Sequence, residues 1–345
     1  MPRPQGNQCG FSLPEIMIAM VLGLVLLAAF LAVLQRCRDQ FATNESLARL
    51  QDSARHVLSV VTGDLDHAGF YGFNPSPRVR VVRGGSVLAA GDALRQPDAA
   101  GAAAVGQMPA GAHDCGVNFA VDLELPVQGS NNSFALGSGA LDCAPTASAG
   151  GARAGSDTLT VRHVSSKAVA PHAGRLQLYS QRLAAFGFQD LFFDGHAPGP
   201  VNEDNEVRDL EVRTYYIANN SVGHAAWPSL RVKALTEAGG AAQFRDEEVL
   251  PGVEDLQVEI GMLADGLVRF VPPDVAALRG QQVIAVRVWL RVRADVTEGG
   301  YFDGRTLRYA DVTYVPAAAE AAQRRLLIER TVALRNLRDA PLPAP

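Results

Sequence analysis

The stretch Gly10-Phe11-Ser12-Leu13-Pro14-Glu15-Ile16-Met17, with the apolar residues that follow it as far as Leu34, decides the fold of this chain. Between Phe11 and Leu34 the only charged side chain is that of Glu15. A helix over residues 11–34 is long enough to span a hydrocarbon core of about 30 Å. A carboxylate one turn inside a membrane segment costs roughly 3 kcal/mol, so Glu15 needs a partner. If the chain is cut between Gly10 and Phe11, the new amine of Phe11 supplies one, in the same chain or in a neighbouring copy.

This pattern resembles the signal of type IV prepilins and of type II secretion pseudopilins. That signal is a short polar leader ending in Gly, then Phe, a Glu at the fifth mature position and about 20 apolar residues. The resemblance implies that a prepilin peptidase cleaves after Gly10, that Phe11 becomes N-methylated, and that Glu15 forms an assembly salt bridge with the Phe11 amine. Pro14 departs from the family pattern, but a missing N–H costs nothing in a first helical turn. The alternative is an ordinary signal anchor in which Glu15 is incidental.

The charges that flank the apolar segment leave its orientation open. Arg3 lies on one side, whereas Arg36 and Arg38 lie on the other, so the positive-inside rule does not decide. The resemblance decides it instead, with the leader (residues 1–10) in the cytoplasm and the bulk of the chain in the periplasm. The implied location is the inner membrane first and the pilus afterwards.

Residues 35–68 continue the helix as an amphipathic segment that would lie on a globular domain. Gly69 is typical of a helix C-cap, so the helix should end there. Asp64 and Asp66 are two residues apart and should point away from each other, so with His67 they are interpreted as a solvated helix end rather than a metal site. The apolar stripe, at steps of three and four, is Phe41, Leu47, Leu50, Ala54, Val57 or Leu58, Val61 and Leu65.

Residues 69–345 should form a globular domain dominated by antiparallel β-sheet, which makes the fold class α+β. A loop-rich insert is expected at about 74–155, with low complexity at Ala99–Gly111 and a strand candidate at 117–125. Alternating apolar and polar residues predict one strand inside the insert, at 78–82, and a regular series of strands after it, with outward-facing arginines in the longest run. The predicted strands after the insert are 157–164, 177–179, 210–217, 230–235, 253–261 and 282–293.

Four of these segments resemble the PilW family of minor pilins. They are the helix end Asp66-His67-Ala68-Gly69-Phe70-Tyr71-Gly72, Leu250–Val258, Val286–Leu290 and the closing run Arg330–Leu337. The resemblance implies a minor pilin that initiates or primes a type IV pilus and sits at or near its tip, with roles in adhesion and twitching motility. Implied partners are the prepilin peptidase, other minor pilins, the major pilin and a PilY-type tip adhesin.

Three other functions stay open on the sequence. The nearest is a type II secretion pseudopilin of the J class, which shares the helix and the sheet. A membrane-anchored periplasmic binding module or enzyme is the second, and DNA uptake is the third. The net charge of −5 and the presence of only two lysines, Lys167 and Lys233, give no basic footprint for nucleic acid.

The four cysteines fall in different environments. Cys9 leaves with the leader, and Cys37 lies beside the membrane. Cys115 and Cys143 belong to the exported part, where an oxidising compartment favours a disulfide, so we predict that they pair. Two buried thiols are the alternative.

No catalytic or cofactor motif emerges, so the chain is not expected to be an enzyme or to hold a cofactor. The seven histidines are scattered, and neither a P-loop nor a nucleophile elbow is present. One acidic stretch contains oxygen ligands of the kind that Ca²⁺ prefers, at Asp194, Asp204, Glu206 and Asp209. The alternative is a solvated charged loop.

Overall fold

The computed structural model describes residues 12–75, 77, 79–83, 86–87, 119–136, 143–182, 189–273, 278 and 281–337. The chain divides into two compact units, Met1–Arg49 and Leu50–Pro345. The predicted low-complexity loop, Ala99–Gly111, lies outside the described residues.

A single helix, α1 (Leu13–His67, 55 residues), accounts for the first unit and continues into the second. It stays unbroken because no proline follows Pro14 until after its end, and Pro14 lies in the first turn, where it has no hydrogen bond to lose. The prediction of one long helix is confirmed.

Within the second unit α1 buries one face. Leu50, Ala54, Val57, Val61 and Leu65 are all at most 3% exposed, and each fully buried Leu or Val contributes roughly 1.5–3 kcal/mol. The predicted stripe is therefore right from Leu50 onward. Its first two members differ: Phe41 is 71% exposed and Leu47 is 37% exposed.

The end of α1 is fixed by a glycine, as predicted. Gly69 has a φ of 75°, in the left-handed region that favours glycine. Its N–H donates to the carbonyl oxygen of Arg162 at 3.0 Å. A Cβ at Gly69 would clash with the side chain of Leu337. The helix end is thus held by two distant parts of the chain.

Fifteen strands and three short 3₁₀ helices are the other regular elements of the described structure. Every strand predicted from alternation after Ser156 is present, although several are longer than predicted. In the closing run Arg330–Leu337 the strand ends at Ala333, and Arg335–Leu337 form a 3₁₀ helix. The strands are β1 (Val79–Arg83), β2 (Ser86–Val87), β3 (Val127–Ser130), β4 (Thr158–Val164), β5 (Ala173–Gln181), β6 (Gln189–Asp194), β7 (Asn205–Ala218), β8 (Ser229–Ala238), β9 (Ala241–Pro251), β10 (Val253–Ala264), β11 (Leu267–Val271), β12 (Gln282–Arg293), β13 (Leu307–Tyr309), β14 (Val312–Tyr314) and β15 (Arg325–Ala333).

These strands form two main sheets and one hairpin. The larger sheet has nine strands in the order β2-β1-β6-β5-β7-β4-β3, and β8 and β9 extend it from β7. The smaller sheet has the order β11-β10-β12-β15, and β13 and β14 pair with each other. All pairings are antiparallel except that of β1 with β6, so the predicted antiparallel α+β fold is confirmed.

The strand candidate at 117–125 is wrong over its described part. Phe119–Val121 is a short 3₁₀ helix, and turn residues follow it before β3 begins at Val127. The apolar members are nevertheless buried: Phe119, Val121, Leu123 and Leu125 are at most 7% exposed. Burial without a pairing partner therefore produced the alternation that suggested a strand.

The main core of the second unit lies where the buried face of α1 meets both sheets. It combines that face with apolar side chains of β4, β7, β10, β12 and β15, such as Leu159, Tyr215, Leu256, Val288 and Val332. A second core lies around β5 and β6 and includes Phe193. Phe192 and Phe193 on β6 are 0% and 6% exposed, so both are core residues.

Candidate functional site: an exposed apolar helix segment and the charged clusters of the sheet unit

The first unit presents apolar side chains to its surroundings on every face of α1. From Leu13 to Leu34 the large apolar residues are between 38% and 75% exposed. This part of α1 is long and apolar enough to cross a membrane. A fully apolar helix of this kind needs lipid or other helices around it.

The N-terminus of α1 is closed by a capping arrangement that the sequence interpretation overlooked. The backbone N–H and the hydroxyl of Ser12 both donate to Glu15 Oε2, at 3.0 and 2.9 Å. A serine followed three residues later by a glutamate is the signature of a capping box, and this spacing would have revealed it. The carboxylate of Glu15 therefore already helps to start the helix.

Two further residues, Gly10 and Phe11, are predicted to take part in processing. Gly10 and Phe11, the predicted cleavage and methylation positions, lie outside the described residues. Their roles therefore stay predictions, as does the assembly salt bridge of Glu15.

The cysteines agree with the sequence interpretation as far as they are described. Cys37 is an exposed free thiol on α1. Cys143 is 1% exposed and is not a free thiol. Cys115 lies outside the described residues, so the pairing of Cys115 with Cys143 stays a prediction.

The proposed calcium ligands do not form a common site. Asp209 accepts a hydrogen bond from Arg175 at 2.7 Å, and Glu206 pairs with Arg208 at 2.7 Å. Among the described residues no three His, Cys, Asp or Glu side chains are placed to share a metal ion. The calcium set predicted from the acidic stretch is corrected accordingly: Asp194, Asp204, Glu206 and Asp209 are not brought together.

The helix end is not solvated at Asp64, contrary to the sequence interpretation. Asp64 is 7% exposed and accepts hydrogen bonds from Arg213 at 2.7 Å and from the hydroxyl of Tyr215 at 2.5 Å. Burial, together with the negative charge of Asp64, raises the pKa of Tyr215 well above its ordinary range. Asp66 and His67 are exposed, as expected. Asp64 thus ties the last turns of α1 to β7.

A second buried ionic cluster surrounds Glu254, at the start of β10. Its carboxylate accepts hydrogen bonds from Arg325 at 2.8 and 3.0 Å and from Arg291 at 3.1 Å, and Arg293 lies 3.6 Å away. Arg291 and Arg293 are only 4% and 8% exposed, so the prediction of outward-facing arginines on β12 is wrong at both. One carboxylate therefore joins β10 to β12, its neighbour in the smaller sheet, and to β15, the strand on the far side of β12.

Asp255 extends this cluster toward the larger sheet. It accepts hydrogen bonds from the hydroxyls of Ser156 and Tyr309, both at 2.6 Å. Next to Ser156, Asp157 accepts the N–H of Asn132 at 2.7 Å and that of Val258 at 2.8 Å. Burial raises the pKa of Asp157 to about 7, although these two N–H groups act in the opposite direction. The charged groups of the cluster contact one another, and the cluster therefore stabilises the packing of the strands that carry them.

Comparison with known proteins gives two family matches. The family described as "Type IV Pilus-assembly protein W" (PilW) matches residues 214–336. The "Prokaryotic N-terminal methylation motif" matches residues 5–31. The PilW match runs from the second half of β7 beyond β15, and it therefore includes both the Glu254 cluster and the closing strand.

Other comparisons add little. The chain is similar in structure to the type IV-like pilin TTHA1219 from Thermus thermophilus, at 16% identity over 56% of this chain and 82% of that chain. The TM-score of 0.25 is too low for this likeness to support a conclusion. No curated protein matches the sequence.

The methylation motif precedes and overlaps an exposed apolar helix, and the PilW match covers the sheets that hold the Glu254 cluster. The family points to a structural protein whose N-terminus is processed by a prepilin peptidase and which is associated with a membrane and a pilus. The chain is a type IV pilin-like protein that carries a PilW domain at residues 214–336 and an N-terminal methylation motif at residues 5–31.

Proposed function

We propose that this protein is a minor pilin that primes assembly of a type IV pilus and stays at or near its tip. One observation carries the proposal: α1 exposes apolar side chains on all faces from Leu13 to Leu34, a segment that overlaps the methylation motif at residues 5–31 and has Glu15 as its only charge. Before assembly this segment lies in the inner membrane and the sheet unit lies in the periplasm. During assembly the segment exchanges lipid for the helices of other pilins.

Glu15 is suited to pair with an amine from a neighbouring subunit. Both hydrogen bonds from Ser12 go to Oε2, and Oε1 accepts none from the described residues. An ion pair in a dry helix bundle is far stronger than one in water, because neither charge is screened. An ion pair between Glu15 of one subunit and the methylated amine of Phe11 in its neighbour therefore fixes the axial register of the two helices and strengthens their association.

The second unit favours a position at the end of the filament. Leu50–Pro345 is large for one subunit, and at the tip it has neighbours on one side only. The partners that follow are the major pilin below it, sister minor pilins beside it and a PilY-type adhesin above it. The PilW match at residues 214–336 supports a pilus over the type II secretion alternative.

The test compares Glu15→Ala with Glu45→Ala in cells that lack the native gene. Glu45 is the matched control, since it is an exposed carboxylate on the same helix that pairs with Arg49 one turn away. Both variants should insert in the membrane and be cleaved after Gly10, as measured by intact mass. Only the Glu15 variant should be absent from sheared pili and fail to restore the number of pili per cell.

Three outcomes would overturn the proposal. Normal incorporation of the Glu15 variant would remove the role of its charge in assembly. If gold labels directed at this protein lay along the pilus shaft rather than at filament ends, the proposed tip position would be wrong. If deletion of the gene left piliation intact but abolished protein secretion, the protein would instead be a component of a secretion pseudopilus.

A further inference from the structure

Strand β11 forms an open edge of the smaller sheet. Among the described strands it pairs only with β10, through the register that runs from Ala264↔Leu267 to Ile260↔Val271. The two strands are joined by Asp265 and Gly266, whose φ angles are 52° and 76°. Two consecutive positive φ values are those of a type I′ turn, which fixes the register of a two-residue hairpin.

That register determines which backbone groups point away from the sheet. In such a hairpin the closing pair, Ala264 and Leu267, is hydrogen-bonded, so every second residue of β11 faces β10. Val268 and Phe270 therefore direct their N–H and C=O groups outward, and no described residue bonds to them. After the strand, the carbonyl oxygen of Pro273 accepts the N–H of Gly129 at 2.9 Å. The open edge thus consists of Val268 and Phe270.

The side chains beside this edge are apolar and held in place. Val268 is 48% exposed, and Leu263, directly opposite on β10, is 36% exposed. Phe270 packs over Gly261, where an added Cβ would meet its ring at 3.1 Å. Arg287 also packs on this ring, with its guanidinium carbon 3.9 Å from the ring centroid. Leu263, Val268 and Phe270 thus form a rigid apolar shelf along the edge, which a partner strand would contact.

Arg269 lies between the two open positions and supplies a charge. It is exposed and forms no ion pair with a described residue, whereas Arg287 pairs with Glu259 at 3.4 Å and Glu329 at 3.6 Å. A second copy of this chain is a poor partner. The antiparallel register that uses both open positions places Arg269 opposite Arg269, and like charges directly opposite each other are destabilising.

We propose that the open edge of β11 docks an extended segment of a different protein chain, which places an acidic residue opposite Arg269 and apolar residues on either side. The segment adds a fifth strand to the smaller sheet. Its backbone bonds to Val268 and Phe270, its apolar side chains contact the shelf, and its carboxylate pairs with Arg269. This inference does not depend on the pilus role proposed above.

The test uses the full chain in detergent and a blocked peptide, Ser-Thr-Val-Glu-Val-Thr-Ser, as the probe. Amide hydrogen exchange of the fragment that contains β11 should slow by at least about threefold at saturating peptide. A peptide with Lys in place of Glu should bind about tenfold more weakly, because an attractive cross-strand pair becomes repulsive. With Arg269→Glu the preference should reverse.

Val268→Pro is the control that blocks the edge and keeps the fold. The N–H that it removes bonds to nothing in the described structure, and proline is tolerated on edge strands. It should abolish slowing by either peptide, while the thermal melt of the sheet unit is unchanged. Equal slowing by both peptides, or none by either, would overturn the proposal. If the protein self-associated in a concentration-dependent way and Val268→Pro abolished this, the partner at the edge would be a second copy of this chain and not a different protein.

Discussion

The Glu254 cluster allows a sharp prediction about what stabilises the sheet unit. Replacing Glu254 by Gln keeps the size of the side chain but removes the negative charge that faces Arg325, Arg291 and Arg293. Glu254 and Arg325 have side chains that are 2% and 0% exposed, so water cannot take over its role. Removing one partner of a buried ion pair costs about 3–5 kcal/mol, because the remaining charge is left uncompensated.

The matched control is Glu259→Gln, five residues further along the same strand. Glu259 pairs with Arg287 at 3.4 Å, and both side chains are about one-third exposed, at 27% and 32%. A pair in water contributes about 0–1 kcal/mol, so this variant should be nearly as stable as the native chain. The two variants make the same chemical change on the same strand and differ mainly in burial.

The assay is urea unfolding of the full chain in detergent, followed by tryptophan fluorescence. The only tryptophans are Trp227 and Trp289, so the signal comes from the sheet unit alone. Trp227 is well placed to report on the cluster, since the guanidinium of Arg293 lies 3.7 Å from its ring centroid. A loss below about 1 kcal/mol for Glu254→Gln, or equal losses for the two variants, would refute the reasoning.

Two further predictions concern the helix end and the pH response. Gly69→Ala should destabilise the unit by about 1–2 kcal/mol, because Gly69 has a positive φ and a Cβ would clash with Leu337. Gly63 lies inside α1, and a Cβ added there meets nothing within 4 Å, so Gly63→Ala should instead stabilise the unit by about 0.5–1 kcal/mol. Urea midpoints that shift in the same direction for both variants would contradict this. The pKa of Asp157 is raised to about 7, so the fold favours its protonated form and loses stability as the pH rises from its ordinary pKa toward 7. Asp157→Asn lacks this loss, so from pH 5 to pH 8 it should gain about 2–3 kcal/mol relative to the native chain, and a gap that is constant with pH would refute the assignment.

Local patterns in the sequence were enough to predict α1 and several of the long strands, but not β2, β3, β6, β9, β11, β13 and β14. The length of α1 follows from the absence of proline after Pro14, and its end follows from Gly69. Strands such as β12 and β7 were visible because a sheet with one buried face requires alternation. These features depend on neighbours within a few residues, which the sequence displays directly.

The side chains that hold the elements together were less accessible, because their partners are distant in the sequence. Asp64 finds Arg213 and Tyr215, about 150 residues away, and nothing near Asp64 distinguishes it from a solvated helix end. Arg291 alternates like any exposed residue of a strand, and only the arrival of Glu254 beside it explains its burial. Ser12 and Glu15 differ from these, since the capping box was legible from their spacing alone.

The contact between the end of α1 and residues 336–337 has a consequence for the order of folding. The side-chain amide of Asn336 donates to the carbonyl oxygen of Ala68 at 3.2 Å, and Leu337 fills the space beside Gly69. Two segments that are 268 residues apart in the sequence therefore complete the same core. A contact of such high sequence separation forms slowly, because the entropy of closing a long loop has to be overcome first. A chain truncated before Asn336 would lack this contact, so the end of α1 stays incomplete until residues 336 and 337 have been synthesised.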